Sequence, residues 1–465
     1  MQDLLMAQAL PSSFRDPSGF LFNHNNQLFR QVNGVYREEY DYLMKSGLYE
    51  HLVRSGLLIP HEEVTLEGIT SSQAYKVIKP EVIEFVSYPY EWGFSQLKDA
   101  ALLTLRLQRE AIQFGMSLKD ASSYNVQFHR GRPIFIDTLS FERYHEEEPW
   151  VAYRQFCQHF LAPLSLAAYT DIRVVQLLRA HLDGLPLGLV SSLLPLRTYL
   201  RLSLSTHIHL HARAQKHFSD KSEGLGNHRM NRRSMLGLVD HLDMAIRAIH
   251  WRPPKTEWSD YDAASLYGSA AFQHKLQLVE EYLDKITPKP QMLWDLGANT
   301  GVFSRLASKK GILTIAFDSD ASCVEQNYKE SIEQRDACLL PLLLDLTNPS
   351  PGLGWKSQER MSWLERGPAD AVLALALLHH LAISNNLPLE RIAQYFHQIC
   401  KVLIIEFVPK SDFQVQLLLS RRKDTFPDYT RENFEEAFRR YFVIDRSEAI
   451  TSTDRILYRM QRKPN

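Results

Sequence analysis

Trp294-Asp295-Leu296-Gly297-Ala298-Asn299-Thr300-Gly301-Val302-Phe303-Ser304 is the stretch on which the reading of this chain turns. An apolar run ends in an acid and a glycine-bearing turn, and helical character resumes behind it, which is how a buried strand feeds a crossover helix. Glycine at 297 allows a tight turn and close backbone approach. Gly301 lets the next helix start close to a ligand, with amides free to meet a carboxylate. The dinucleotide fingerprint GxGxxG would put glycines at 299 and 302. Asn299 and Val302 stand there instead, leaving less room for a pyrophosphate and favouring a ligand without phosphates.

Outward from this turn the pattern repeats. QMLWDLG, ILTIAFDSD, LLPLLLDL, DAVLALALL and KVLIIEFV are continuous apolar runs ending in turn chemistry, with helical segments between them. Strands buried on both faces read this way, so five parallel strands are expected. The last stretch, YFVIDRSEAITSTDRILYRMQRK, alternates like a closing antiparallel hairpin, which completes an α/β, Rossmann-like doubly wound sheet. Upstream, 258–285 predicts a turn and a long helix, and the polar run 216–233 (KHFSDKSEGLGNHRMNRR) has the composition of a linker.

The 465 residues exceed the length at which one core stops growing, so two domains are expected, and an apolar fraction of 45% supports folded cores. With 53 basic and 54 acidic side chains the net charge is −1, which excludes a global field for nucleic acid or anionic lipid and leaves only local patches. Cys157, Cys323, Cys338 and Cys400 lie far apart without a CxxC pair, so neither a zinc site nor a disulfide framework is indicated and a reducing cytoplasm is the expected setting. The first residues do not read as a secretory signal. The most apolar stretch, 185–210, is interrupted by Pro186, Pro195, Arg197 and Arg201, so it predicts buried or amphipathic helix and no transmembrane span.

WDLGANTGVFS resembles motif I of class I S-adenosylmethionine-dependent methyltransferases, and the resemblance continues in order over about 200 residues. It implies that Asp295, Gly297, Asn299 and Gly301 hold the methionyl end of the cofactor. Asp318, at the end of the second run, would accept both ribose hydroxyls, with Asp320 as the alternative. Asp345, closing LLPLLLDL, would lie beside the adenine amine. An aspartate that ends a strand can equally cap a helix; the order of three such acids carries the reading.

His379 and His380, in LALALLHHLA, fall where this fold presents groups to the methyl acceptor, and histidine suits proton removal near neutral pH. One of them can instead pack under the cofactor while the other caps a helix. Glu406, 409–412, and Asn348, Gly354 and Trp355 are further candidates for acceptor contact. No metal is expected in the displacement.

In the N-terminal half, LKDASSYNVQFHRGRPIFIDTLSFE sets Asp120 and Asn125 in D-x-x-x-x-N spacing, with Asp137 following an apolar strand. This resembles the catalytic loop and magnesium-binding acid of protein kinases, so 1–215 is expected to be an α+β domain, kinase-like or with acids that simply cap turns. Departures are visible. The hairpin tip ahead of Arg30 reads NHNNQ rather than a glycine-rich loop, and neither Arg30, Lys76 nor Lys79 sits in a recognisable nucleotide-lysine motif. His207, His209 and His211 would share a face on a strand and could meet a metal there, but diverge on a helix.

The expected organisation is thus 1–215 accessory domain, 216–258 linker and helix, and 259–465 methyltransferase domain. The expected partner is an unidentified methyl acceptor, whether small molecule, glycan or protein, with no strong nucleic-acid signal. Two alternatives stand beside it: a bifunctional protein with a phosphotransferase in front, and a non-catalytic S-adenosylmethionine-binding module.

Overall fold

The structure, a computed structural model, describes residues 9–66, 73–213, 230–254, 269–420 and 424–464. Most of the polar run 216–233 and the turn before the helix at 269 lie outside the described residues. The chain divides into two units, Met1–Arg252 with Gly352–Arg360, and Pro253–Pro351 with Met361–Asn465.

In the second unit the apolar runs become β9 (Met292–Leu296), β10 (Leu313–Asp318), β11 (Leu339–Leu343), β12 (Ala369–Ala374) and β13 (Cys400–Phe407), followed by β14 (Phe442–Ala449) and β15 (Ile456–Arg462). Their order across the sheet is β11-β10-β9-β12-β13-β15-β14. The first five are parallel, and the β14–β15 hairpin closes the sheet antiparallel to β13. This is the doubly wound α/β sheet implied by the class I methyltransferase resemblance. Successive strands run outward from β9 in one direction and from β12 in the other, so the order reverses between those two. Ligands of open α/β sheets bind beyond the carboxyl ends at such a point.

Burial on both faces explains the unbroken apolar runs. On one face Leu293, Ala371, Leu373 and Ile404 pack with Leu278, Val279 and Tyr282 of the helix Ser269–Asp284. Side chains alternate along a strand, so Trp294 points the other way, its ring 4.2 Å from that of Trp363 and 6.0 Å from that of Phe317.

The first unit is α+β. Strands β1 (Gly19–His24), β2 (Gln27–Asn33), β3 (His61–Val64) and β4 (Ala74–Pro80) form an antiparallel sheet in the order β1-β2-β4-β3. The β1–β2 turn is Asn25-Asn26, both at positive φ, which suits a two-residue hairpin turn. A long buried helix, Phe94–Gln113, follows, then two small ribbons, β5 (Met116–Leu118) with β8 (Phe141–Arg143), and β6 (Val126–His129) with β7 (Arg132–Phe135).

The helix that the sequence reading set apart with the linker, Arg232–Ala248, packs against Phe94–Gln113 and belongs to this unit. Its buried Met235, Val239, Leu242 and Ile246 recur at helical spacing. The stretch 185–210 is not one helix. Pro186 and Pro195 precede the helix Leu187–Leu193 and the 3-10 turn Leu196–Leu200, and Leu202–Leu204 and a π-helical turn, Ser205–Leu210, come after. Among the described residues no helix is long and apolar enough to cross a membrane.

Candidate functional site

A cavity of about 590 Å³ opens at the carboxyl ends of the second unit's strands, within the ~300–1,000 Å³ range of small-molecule sites. Asp295, Gly297, Asn299, Asp318, Asp345, His379 and His380 all line it. Gly301 does not. Its φ is 84°, and a Cβ there would lie 2.3 Å from Asn327 Oδ1, so the glycine lets the turn pass against the helix Ala321–Glu333. Gly297, at φ 76°, forms the wall itself, and a Cβ added to it would be 3.4 Å from Leu377 Cδ1. Amides of Gly297 and Ala298 both donate to Phe317 O at 2.9 Å, which ties the turn to β10.

Asp295 is 2% exposed and accepts the Ser304 hydroxyl at 2.6 Å. Burial pushes its carboxyl up to about 7, and the charge of Asp318 adds to the shift. Asp318 accepts the backbone N–H of Asn299 at 2.7 Å and of Asp320 at 2.8 Å, and burial pushes it up to about 6. Asp320 turns away to cap the helix Ala321–Glu333, accepting Ser322 N–H at 2.7 Å, and is absent from the cavity wall. Asp345 is exposed at the rim and accepts the amide and hydroxyl of Thr347.

Lys275 and Arg455 of the lining belong to a closed network. Glu406, fully buried at the end of β13, accepts Lys275 Nζ at 2.6 Å and the Ala376 amide at 2.8 Å, and Arg455 Nη1 lies 3.5 Å from its other oxygen. Arg455 also grips Asp412 through two nitrogens, at 2.7 and 2.9 Å. Burial alone would push Glu406 up, but Lys275 and Arg455 hold it below the usual carboxylate range. His379, 2% exposed, has its buried Nδ1 without a hydrogen-bonding partner among the described residues. Burial keeps this imidazole neutral, and neighbouring His380, Arg455 and Lys275 reinforce the effect. The His380 ring, 4.2 Å away, is pushed down to about 4 by burial.

Phe272, Lys275, Gln414 and Arg455 line the cavity and were missed in the sequence. Lys275 did leave a signal. It lies four residues after Ala271 and three before Leu278, on the buried stripe of its helix, where a lysine needs a partner. Of the other acceptor candidates, Glu406, 409–412 and the exposed Asn348 are outside the wall, and Gly354 and Trp355 belong to the first unit.

In the first unit, Asp120, Asn125 and Asp137 come together with their bonds largely satisfied. Asp120 accepts Ser122 N–H at 2.9 Å and Gln155 Nε2 at 2.8 Å. Asp137 accepts Leu139 N–H and the Ser140 hydroxyl, and Arg30 Nη1 reaches it at 2.7 Å from β2. Asn125 Nδ2 donates to Ser140 Oγ at 3.2 Å. Burial raises the Asp120 carboxyl, and the charge of Asp137 adds to that. Lys76 pairs instead with Glu63. The three histidines lie on or next to the π-helical turn: His207 bonds Tyr153 and His241, and His209 bonds Ser191 and Thr198. Among the described residues no group of three or more His, Cys, Asp or Glu is placed to hold a metal ion.

No family model matches the chain. Among solved structures it is similar to WbdD, with 15% identity, a TM-score of 0.30, and 43% of each chain covered, so the match spans less than half of WbdD. The PH0226 protein from Pyrococcus horikoshii OT3 matches at 14% identity over 45% of this chain and all of that one, with a TM-score of 0.33. Magnesium protoporphyrin IX methyltransferase (ChlM) from Synechocystis PCC 6803, crystallised with bound SAM, matches at 18% identity over 46% of this chain and 87% of that one, with a TM-score of 0.30. Nodulation protein NoeA of Rhizobium meliloti (strain 1021) is 35% identical over 460 residues, 97% of this chain and 95% of that protein, and the chain belongs to the NoeA family.

Proposed function

We propose that the second unit binds S-adenosylmethionine in the strand-end cavity and transfers its methyl group by direct displacement to an acceptor held beside His379 and His380. One observation carries this reading: Asp295, Gly297, Asn299, Asp318 and Asp345 share one cavity wall with His379 and His380. The donor set suits the cofactor. Asp295 and Asp318 are desolvated carboxylates facing a cavity, and a ligand that brings hydroxyl donors and positive charge relieves them.

When bound, the cofactor supplies an electrophilic methyl group on a sulfonium. The protein's part is to position and to desolvate. Asp318 accepts ribose hydroxyls, Asp345 takes the adenine amine, and the turn from Gly297 to Thr300 meets the methionyl end. His379 and His380, both neutral and both in the lining, are the candidates to take the proton of an acceptor hydroxyl. The acceptor is a small molecule, a glycan or a protein.

Calorimetry with S-adenosylhomocysteine tests the binding step, and transfer of labelled methyl in cell extract, with Asp295→Ala as control, tests turnover. Tight NAD binding with none of S-adenosylhomocysteine would overturn the assignment. Binding without any labelled product would leave a non-catalytic S-adenosylmethionine module. A phosphotransferase in the first unit has one observation in its favour, the convergence of Asp120, Asn125 and Asp137. ATP consumption that is lost in Asp120→Ala is the result that would establish it.

A further inference from the structure

The segment 187–213 of the first unit is apolar on both of its sides. Leu187, Val190, Leu194, Leu204 and Ile208 are buried, as the inner face of any surface helix should be. The outer face carries leucines as well. Leu196, Leu200 and Leu202 are 83%, 89% and 75% exposed, and Leu189, Leu193 and Leu210 are exposed beside them. Single exposed leucines are ordinary, but a run of this size in one short segment marks an interaction surface.

These leucines are held on one platform. The helix Leu187–Leu193, the turn Leu196–Leu200 and the short helix Leu202–Leu204 all pack on the π-helical turn Ser205–Leu210. Buried His209 fastens the first two. One ring nitrogen meets the Ser191 hydroxyl and the other the Thr198 hydroxyl, each at 2.8 Å, and the ring stacks on Tyr199 at 3.7 Å. The protruding leucines therefore belong to a bonded structure.

Charge says what the surface faces. From Gly184 to Arg213 the sequence contains no aspartate or glutamate, although the whole chain is balanced at 53 basic and 54 acidic residues. Arg197, Arg201 and Arg213 are exposed among the leucines. A protein partner would more often meet a patch with charges of both signs at its rim. Apolar side chains interleaved with arginine alone match an interface of acyl chains under anionic headgroups.

We propose that the leucine-arginine shoulder at 187–213 docks the protein on an anionic lipid surface, as a peripheral contact that inserts leucines and pairs arginines with headgroup phosphates. It does not depend on the methyltransferase reading, since it uses none of the cavity residues.

Co-sedimentation of the full chain with vesicles tests it. Vesicles containing phosphatidylglycerol should bind the protein, pure phosphatidylcholine vesicles should bind it at least tenfold less, and added salt should weaken the binding. Neutralising Arg197 and Arg201 to Gln should each cost about fivefold in partitioning, from ~1 kcal/mol per basic residue at the surface. Leu196→Asp with Leu200→Asp should reduce it more than tenfold. All four side chains are exposed, so thermal melts should match wild type, and the arginine variants keep the test decisive if the leucine variant folds poorly. Equal binding to both vesicle types, or none to either, would overturn the proposal. So would a leucine variant that changes the oligomeric mass in solution while vesicle binding persists, which would assign the surface to a second copy of this chain.

Discussion

Asp295 and Asp318 stand at the carboxyl ends of β9 and β10 and line the cavity, while Glu406, at the carboxyl end of β13, is outside the lining and bonds to Lys275 and Arg455, which belong to it; burial acts differently on these acids. For the first two the carboxyls are pushed up to about 7 and about 6, because burial strips their water and, among the described residues, no cation is in bonding contact with them, Lys275 acting on Asp295 only through its field. Glu406, bonded to the lining residues Lys275 and Arg455, is equally buried, and those two cations hold it below its ordinary value. Under the proposed function, a strand-end acid serves as a ligand group where the chain withholds its counter-charge and as a structural group where it supplies one. The Asp137 carboxyl in the first unit also has a cation in contact, Arg30 Nη1 at 2.7 Å.

The largest effect should come from opening the closed network. Lys275→Met leaves Glu406 buried with Arg455 at the long distance of 3.5 Å, and removing one partner of a buried pair costs about 3–5 kcal/mol. Urea unfolding at neutral pH measures it. Adding Glu406→Leu to Lys275→Met should restore most of the loss, since an apolar pair of similar volume needs no solvation. A single variant within about 1 kcal/mol of wild type would show that Glu406 is as open as Asp295 and Asp318.

Removing a carboxyl from the cavity wall should instead spare the fold and remove the ligand. Asp318→Ala should weaken S-adenosylhomocysteine binding about 100-fold, from about 2.7 kcal/mol of hydrogen bonding to a charged acceptor. Asp120→Ala, in the first unit, should leave that affinity unchanged. Calorimetry on both variants separates a cofactor contact from a general effect of losing a buried acid.

Asp295 sharpens the contrast through stability. Its carboxyl rises on folding from an ordinary value near 4 to about 7, so the folded state holds the proton more tightly than the unfolded chain. Stability is then lost as pH climbs through that window. At pH 8 the three-unit rise corresponds to a cost on the order of 4 kcal/mol for the ionised side chain. Asp295→Asn can still accept the Ser304 hydroxyl and should melt several degrees higher at pH 8. The advantage should vanish below about pH 3, where the acid is protonated in both states. A variant that melts lower at pH 8 would mean that a cation pairs with Asp295 in solution.

How much of this could be read beforehand depended on whether the signal was local. Strands β9 to β13 were legible because strands buried on both faces leave unbroken apolar runs, and the acids stood out at the ends of those runs. Asp318 and Asp320, two residues apart, were indistinguishable in the sequence; in the structure Asp318 ends the strand and lines the cavity, whereas Asp320 caps a helix. Arg455 reaches Glu406 from the turn of the β14–β15 hairpin, 49 residues further along, and nothing near it in the sequence marks the pairing. The segment 185–210 was read as helix because its leucine content hides which leucines face inward; the prolines break it into pieces that bury some and expose others.

The smallest effect is the most specific to the cavity acids. Ribose hydroxyls donate to an ionised carboxylate, so a proton on Asp318 must leave before the cofactor can be held. With the Asp318 carboxyl at about 6, S-adenosylhomocysteine affinity should rise about tenfold from pH 5 to pH 7, one factor of ten for the pH unit below the midpoint. Asp295, at about 7, should stretch the rise toward pH 8, where the curve flattens. His379 is held neutral by burial throughout this range and adds no inflection, while His380, at about 4, titrates below it. Calorimetry in buffers of different ionisation enthalpy should therefore record proton release on binding at pH 6 and almost none at pH 8.5. An affinity that stays flat from pH 5 to pH 8 would mean that both carboxyls are already ionised in the free protein, and the difference between these acids and Glu406 would be gone.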